Sequence, residues 1–399
     1  MKLPKPERPS ENALPYVVGM DVHQRTITLV GLDPEGKLFR KETISNTLHD
    51  LDGFHRELAK ATGSAPVVLG VEASTAGKAV CHHLRKLGRD VRMAHPRKLK
   101  ALLGETKTDK NDAAALATVL RLGTFLEAYV PTPEIDSLRT LVRLRGEVVE
   151  KLKRAKVQVR SLLVKNHLQH DASRYDDIFG VQALRWLKDK VELADPWDQR
   201  QLGLLLEEGA LYTRQEHELT TELAKVAADR EDVRILQSLP GIDYTLALTI
   251  VAEAGDIRRF PNRKKFAAYC GLVPKNRQTG DTNPQHTKRR HGNPQLTWAF
   301  EMAVQAIRHS KRGRFYVMLE RLEKRVGLAK ALTAVAHHLS FVAYAIWKKG
   351  TLFEETVVPY YTVKRRKLAK RAKEEVRSPA MATIIEKLIA QQGLSGVPA

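Results

Sequence analysis

The first part of the chain alternates short apolar stretches with polar turns. Residues 16–23 and 26–33 are rich in β-branched side chains and predict two β-strands. The turn sequence PEGK follows at residues 34–37, and residues 38–45 predict a third strand that pairs back on the second. These stretches together predict an antiparallel triplet of strands.

Helical and strand patterns then alternate as far as about Leu122. Apolar residues three and four apart predict a helix over residues 48–61, and the continuous apolar run at 66–72 predicts a buried central strand. A second helix is predicted at 76–87, a fifth strand at 90–96, and a further helix after it. The order β-β-β-α-β-α-β-α predicts an α/β fold, a mixed sheet with helices on its faces.

From about Pro131 the pattern changes to that of long helices. Arg145 interrupts the apolar positions there, so they do not support a regular coiled coil. We expect a long helical hairpin that returns through about residues 202–228. The apolar residues that recur at the helical spacing of three and four are Leu141, Val148, Leu152, Ala155, Val159 and Leu162.

The region after Val233 is also predicted to be mainly helical. The segment LQSLPGIDYTLALTIVAEAG predicts a helix, a tight turn at Pro240 and Gly241, and a second helix. Further helices are predicted at about 294–310 and 328–348. The turn could be half of a helix-hairpin-helix, whose N–H groups bind a DNA backbone, and a plain helical corner explains it equally well.

Composition narrows the classes of function. The 399 residues include 67 Lys and Arg against 46 Asp and Glu, a formal net charge of +21. A surplus of this size favours a polyanionic partner, nucleic acid ahead of a membrane surface. No apolar run approaches the roughly 20 residues of a membrane span, and the N-terminal residues lack the apolar centre of a signal peptide. Two distant cysteines, Cys81 and Cys270, fit a reducing compartment, so we expect a cytoplasmic protein.

Four acidic residues are candidates for a shared site. Asp21 ends the first predicted strand and Glu72 ends the fourth. In an open mixed sheet the first strand lies centrally beside the fourth, so both carboxylates would emerge at one edge. Asp109 and Asp112 stand three apart at the start of a helix, on one face of it. A single acid at a helix start is explained by capping and the helix dipole, but a pair on one side is not.

Carboxylates that converge in this way need cations. Four of them would repel each other and raise their own pKa values unless a metal neutralised them. Oxygen ligands suit Mg²⁺ or Mn²⁺, and two such ions about 4 Å apart can hold the attacking and leaving oxygens of a phosphodiester. The sequence therefore predicts a metal site that acts on nucleic acid.

Five motifs carry a resemblance to a known family. GMDVH, GVEAS and KTDKNDA, with LPGI and YCGLVP downstream, resemble the DEDD insertion-sequence transposases of the IS-110 type, which include the pilin-gene invertase Piv. The resemblance covers about residues 16–349. It implies that Asp21, Glu72, Asp109 and Asp112 form the metal-binding tetrad of a DNA recombinase. It also implies a bacterial, nucleoid-associated protein that uses a structured noncoding RNA to pair with donor and target DNA.

The sequence pattern and the resemblance together predict an arrangement of domains, of which the resemblance implies the catalytic domain, the connector and the transposase domain. A flexible leader at 1–15 precedes an RNase H-like (RuvC-like) mixed-sheet catalytic domain at 16–128. A coiled-coil-like helical connector at 129–230 would serve oligomerisation. A mainly helical C-terminal transposase domain at 231–350 carries the turn and the nucleophile loop, and a basic tail at 351–399 follows. Strand exchange needs two DNA duplexes held together, so a dimer or tetramer is expected, with an active site completed across domains or subunits.

One position departs from the family pattern. The family implies a serine nucleophile about ten residues after the YC motif, and this chain has Thr279 there. A threonine hydroxyl can make the same attack on phosphorus, although its β-methyl group restricts the side chain. In the other interpretation, Thr279 only stabilises the turn at Gly280.

Basic residues near this position predict a contact with nucleic acid. Lys288, Arg289 and Arg290 precede Asn293, which stands just before a predicted helix. A basic loop that leads into a helix N-terminus suits phosphate binding. These four residues are therefore our candidates for binding the nucleic-acid backbone.

Three alternatives stay open at this point. A RuvC-like structure-specific nuclease would use water as nucleophile and leave no covalent adduct. A catalytically decayed transposase would still bind nucleic acid. An ATP-binding protein with an actin-like fold would also begin with a β-hairpin, but the sequence has no later glycine-rich adenosine motif.

Overall fold

The computed structural model describes residues 15–63, 65–95, 109–273, 276–277, 285–286 and 292–354. The predicted leader, up to residue 14, and the predicted basic tail, from residue 355, lie outside these ranges. The chain forms two compact units, one ending at Pro133 and the other beginning at Glu134. Among the helices of the described ranges, none has the length and apolar character that crossing a bilayer requires.

The first unit is built on one mixed sheet of five strands. They are β1 (Tyr16–Val22), β2 (Thr26–Leu32), β3 (Leu38–Ser45), β4 (Val67–Glu72) and β5 (Asp90–Ala94). Their order in the sheet is β3-β2-β1-β4-β5, so β1 is central. It runs antiparallel to β2 and parallel to β4. The predicted strands and the central place of the first one beside the fourth are confirmed.

Helices cover both faces of this sheet. They are α1 (Leu48–Thr62), α2 (Thr75–Lys86) and α3 (Asp109–Arg121). The first two begin at side-chain caps: the Thr47 hydroxyl accepts from the Asp50 N–H at 3.2 Å, and the Ser74 hydroxyl accepts from the Gly77 N–H at 2.9 Å. Both pack against one face, whereas α3 packs against the other through Ala117 and its neighbours.

The second unit begins with two long helices that lie antiparallel. These are α4 (Pro133–Lys165) and α7 (Pro196–Ala228), with the shorter α5 (Gln169–Ala172) and α6 (Val181–Asp189) between them. Two ion pairs join the long helices, Arg145–Glu216 and Lys165–Asp198. A third, Glu134–Arg230, joins the start of α4 to the residue just before the next helix. Arg145, which interrupts the apolar pattern, therefore makes a cross-helix bond, and the returning helix predicted there is present.

The rest of the unit is a helical bundle around one core that includes the large rings of Phe266, Phe300 and Phe315. Its elements are α8 (Glu231–Gln237), α9 (Tyr244–Ala254), a 3-10 turn (Ile257–Arg259), α10 (Arg263–Tyr269), β6 (Asn276–Arg277), β7 (Gln285–His286), α11 (Pro294–Ser310), α12 (Arg314–Val326) and α13 (Leu328–Lys349).

The two helices and the tight turn predicted around LPGI are confirmed. The turn lies against a neighbouring helix. Gly241 has φ +77°, and a Cβ atom there would stand 2.1 Å from the Ala303 carbonyl oxygen in α11. Only glycine permits this approach. The Pro240–Gly241 turn is therefore a packed corner of the bundle.

Candidate functional site

Two of the predicted acids stand side by side at the end of the sheet. In the parallel pair, Met20 of β1 is opposite Val71 of β4, and Asp21 and Glu72 are the next residue of each strand. Met20 and Val71 point into the core under α1 and α2. Because side chains alternate along a strand, Asp21 and Glu72 lie on the opposite face. Asp21 is only 7% exposed, and Glu72 is half-buried.

The helix on that face approaches β1 unusually closely. A Cβ atom on Gly19 would stand 2.0 Å from the Ala113 carbonyl oxygen and 2.6 Å from the Ala117 nitrogen. Backbone meets backbone here, so α3 is fixed against β1 with no side chain between them. Asp112 immediately precedes Ala113 and is half-buried in the first turn of α3.

This crossing determines where the start of α3 lies. Gly19 is two residues before Asp21 on the same face of β1 and meets Ala113, Leu116 and Ala117 in the middle of α3. Val17, two residues before Gly19, packs with Ala117 and Leu120 nearer the C-terminal end of the helix, so α3 runs antiparallel to β1. The structure therefore brings the first turn of the helix, with Asp112, toward the sheet end that carries Asp21 and Glu72. Asp109 is the first residue of α3, and its side chain lies outside the described residues.

A histidine that the sequence analysis did not single out contacts this site. Nε2 of His23 lies 3.1 Å from Oδ2 of Asp21, and the imidazole is 49% exposed. The His23 backbone N–H donates to the Thr26 carbonyl oxygen at 2.9 Å across the β1–β2 connection. The sequence signal was its position two residues after Asp21, beyond the strand end, where the chain turns back.

The chemistry of the donors suits a hard divalent cation. Asp21, Glu72 and Asp112 supply carboxylate oxygens, which Mg²⁺ and Mn²⁺ prefer. Within the side chains that the structure describes, no three His, Cys, Asp or Glu groups are close enough together to hold a metal ion.

The second candidate region is the segment predicted to carry the nucleophile. Strands β6 and β7 pair antiparallel, with Asn276 opposite His286. Thr279 falls between them in the sequence, and it lies outside the described residues together with Lys288, Arg289 and Arg290. Asn293 is the one candidate of this group whose side chain the structure describes.

Both polar atoms of the Asn293 side chain form hydrogen bonds within the protein. Its Oδ1 accepts from the N–H groups of Gln295 and Leu296, at 2.9 and 3.3 Å, and so caps α11. Its Nδ2 donates to Oε2 of Glu253 at 2.7 Å. A contact of Asn293 with nucleic acid stays a prediction.

Glu253 is a second functional candidate that the sequence analysis did not find. It is the next-to-last residue of the apolar helix α9, and its side chain is 0% exposed. Arg143 donates to both of its carboxylate oxygens, at 2.7 and 3.0 Å. Burial alone would raise the pKa of Glu253, but hydrogen bonds from Arg143 and Asn293 and the charges of Arg143 and Arg139 outweigh it and hold the pKa below its ordinary value. The sequence signal was one carboxylate in an otherwise apolar helix.

Comparison with known families gives two matches in this chain. Residues 18–167 match the DEDD transposases of the IS110 type, described as "Transposase", and residues 233–317 match the family described as "Transposase IS116/IS110/IS902 family". Together the two matched segments cover more than half of the chain.

Individual relatives are transposases and an invertase. The putative transposase y4qE of Sinorhizobium fredii is 29% identical over 56% of this chain, and the match spans only 54% of that relative. The transposase for insertion sequence element IS1111A of Coxiella burnetii is 25% identical over 83% of this chain and 89% of the relative. The pilin gene-inverting protein of Moraxella bovis is 24% identical over 65% of this chain and 71% of the relative.

Proposed function

Since this chain belongs to the IS110-type family of DNA transposases and recombinases, we propose that it cuts and rejoins DNA by metal-dependent transfer to its own hydroxyl group. The first unit would be an RNase H-like (RuvC-like) catalytic domain. Its sheet order, with β1 central between an antiparallel β2 and a parallel β4, supports this assignment. The substrates would be the donor and target DNA of an insertion sequence.

We assign the metal to Asp21, Glu72, Asp109 and Asp112. The support is the adjacent ends of β1 and β4 and the close packing of α3 beside them. A bound Mg²⁺ or Mn²⁺ would offset the charge of a phosphodiester and lower the barrier to attack on it. The chain's own contribution is to hold its carboxylates at fixed positions, because β1, β4 and α3 are regular elements packed on one another.

Thr279 is our proposed nucleophile. Its Oγ1 would attack phosphorus, form a phosphothreonine ester and release one strand end as an alcohol, which takes up the proton. Attack by the hydroxyl of another strand reverses the step and restores Thr279, so no oxidant or reductant is consumed. Lys288, Arg289 and Arg290 would contact the phosphates near it, as the charge surplus and their place before α11 suggest.

Two partners complete the proposal. A structured noncoding RNA would select the DNA by base pairing, which the family resemblance suggests and the charge of +21 accommodates. A homo-oligomer, dimer or tetramer, would hold two DNA duplexes, with the coiled-coil-like connector of α4 and α7 as the contact.

The observation that carries this proposal is the pair Asp21 and Glu72 at the ends of two neighbouring strands, in a chain of this family. The first test is recombination of the intact element, with its flanking noncoding DNA, in cells. Thr279→Ala and Asp109→Asn should abolish recombination, and Thr279→Ser should retain it. Asp90→Asn, at the opposite end of the sheet beside Arg92, is the matched control for the acid.

A second measurement separates the hydroxyl mechanism from a water-dependent nuclease. Denaturing electrophoresis of the protein with labelled element DNA should reveal a covalent protein–DNA adduct with the native chain and with Thr282→Ala, a matched hydroxyl in the same segment. Thr279→Ala should give none. Recombination by Thr279→Ala, with loss only in Asp109→Asn, would exclude Thr279 as the nucleophile.

A further inference from the structure

The buried carboxylate of Glu253 has no role in the chemistry proposed above, yet both of its oxygens accept hydrogen bonds. Arg143 of α4 donates two hydrogen bonds to it, and the Arg139 guanidinium lies 3.6 Å from Oε2. Arg139 also donates to the carbonyl oxygens of Ala252 and Glu253, at 2.9 and 3.3 Å. The remaining bond, from Asn293 Nδ2, leads to the residue that starts α11.

These bonds meet at described residues that flank the segment of Thr279 in the sequence. We call residues 269–272 and 292–297 the loop base. Its two sides are joined by the Asn293 N–H, which donates to the Tyr269 carbonyl oxygen at 2.8 Å. They are joined again by the Thr297 hydroxyl, which donates to the Cys270 carbonyl oxygen at 2.6 Å.

The two sides of the loop base also touch directly. A Cβ atom on Gly292 would stand 2.3 Å from the nitrogen of Gly271, so these backbones are as close as glycine allows. From the first side, residues 269–272, the Tyr269 hydroxyl donates to the Glu253 carbonyl oxygen at 3.3 Å. Glu253 therefore contacts both sides of the loop base, one through its carbonyl group and the other through its carboxylate.

The charge on Glu253 fixes the orientation of Asn293. The Oδ1 of Asn293 is committed to capping α11, so its NH₂ group must face the carboxylate. A buried carboxylate costs free energy to desolvate, and a well-packed apolar group is often equally stable in its place. The ion pair does, however, orient the carboxylate, because the two N–H groups of Arg143 bond both oxygens in only one arrangement.

We propose that Glu253, held by Arg143 and bonded to Asn293, is a positioning residue for DNA strand transfer. It fixes the loop base and thereby the point from which Thr279 is presented to the phosphodiester. This inference rests on the proposed role of Thr279. When a reacting group is displaced by about 1 Å, the rate of its reaction falls on the order of 100-fold. A loosened loop base should therefore lower the rate of recombination even where the protein still folds.

A pair of substitutions tests the bond itself. Asn293→Asp keeps the helix cap but sets a second carboxylate against Glu253, and we expect it to lower recombination by about 100-fold. Glu253→Gln alone should lower it less. The double variant Glu253→Gln/Asn293→Asp restores an amide-to-carboxylate hydrogen bond with donor and acceptor exchanged, and it should recover most of the activity lost in Asn293→Asp.

The chain offers a matched control for the cap. Asn262 also caps a helix, accepting from the Lys265 N–H at 3.0 Å, and Asn262→Asp should recombine like the unaltered chain. Hydrogen exchange of purified full-length protein, read at peptides covering the loop base, should be faster in Asn293→Asp and return to normal in the double variant. Thermal unfolding of each variant reports whether the fold is kept.

The outcomes separate the positioning role from the nucleophile. Rescue of both recombination and exchange by the double variant supports positioning by Glu253. A double variant that regains slow exchange but not recombination overturns it, as does an Asn293→Asp chain as active as Asn262→Asp. Recombination by Thr279→Ala in the same assay removes the proposed nucleophile, and with it the group that Glu253 would position. Exchange at the loop base then still reports the Glu253–Asn293 bond by itself, so the two failures are distinguishable.

Discussion

The packing of α3 on β1 makes Gly19 a position where a single methyl group should displace the proposed metal site. In Gly19→Ala the new Cβ would lie 2.0 Å from the Ala113 carbonyl oxygen and 2.9 Å from the Leu116 Cβ. The first of these atoms belongs to the backbone of a helix, so it cannot move aside as a flexible side chain would. The helix and the strand must separate.

The size of the separation follows from these distances. A carbon and an oxygen in contact need somewhat more than 3 Å, so the crossing must open by about 1 Å. Inserting a methyl group into a packed interface of this kind costs about 1–3 kcal/mol. For a unit of this size, that lowers the unfolding temperature by roughly 3–10 °C. A displacement of about 1 Å between Asp112 and Asp21 should lower recombination by about 100-fold.

The assay combines recombination of the intact element in cells with thermal unfolding of the purified chain. Gly146→Ala is the matched control, because Gly146 is an exposed helical residue and a Cβ there would meet nothing within 4 Å. Removing a mid-helix glycine should stabilise the chain by about 0.5–1 kcal/mol and leave recombination unchanged. Both variants replace glycine by alanine, and we expect Gly19→Ala to lower the free energy of unfolding and Gly146→Ala to raise it.

Two results would refute the reasoning. If Gly19→Ala unfolds at the same temperature as the unaltered chain, α3 does not cross β1 as closely as described. If it unfolds at a lower temperature but recombines normally below that temperature, the crossing is structural only, and the placement of the α3 acids relative to Asp21 is not needed for activity.

Three further predictions concern the second unit. Gly241→Ala combines a positive φ with a Cβ placed 2.1 Å from the Ala303 carbonyl oxygen, so the free energy of unfolding in urea should fall by about 2–5 kcal/mol; an unchanged urea midpoint would contradict this packing. Burial raises the pKa of the Cys270 thiol well above its ordinary value, so iodoacetamide should modify it only after unfolding, and rapid labelling of the native chain would show the site to be open. The pKa of Glu253 is depressed, so the stabilisation from its pair with Arg143 is present at neutral pH and is lost as the pH falls below the ordinary glutamate value of about 4.3 toward the folded-state pKa. The gap in unfolding free energy between the unaltered chain and Glu253→Gln should therefore narrow in acid, and a gap independent of pH would count against the ion pair.

Local patterns in the sequence were sufficient for the elements and for much of the candidate site. The five strands, the helices between them and the long helix that begins at Pro133 follow from periodicity, because apolar spacing directly reflects which face of an element is buried. The strand order was inferred correctly from chain connectivity, and it put Asp21 beside Glu72. The family also followed from short motifs, since the residues that carry chemistry stand at fixed points of these elements.

What periodicity could not supply are contacts between residues far apart in the chain. Glu253 reads as an isolated polar residue in an apolar helix, and only folding brings it Arg143 from 110 positions away and Asn293 from 40 positions away. The requirement for glycine at position 19 likewise cannot be inferred from the sequence of β1, because the atoms that exclude a side chain there belong to α3. Local spacing fixes what a residue does within its own helix or strand, whereas buried charge pairs and backbone crossings exist only after distant segments have packed, and they were decided by the tertiary structure alone.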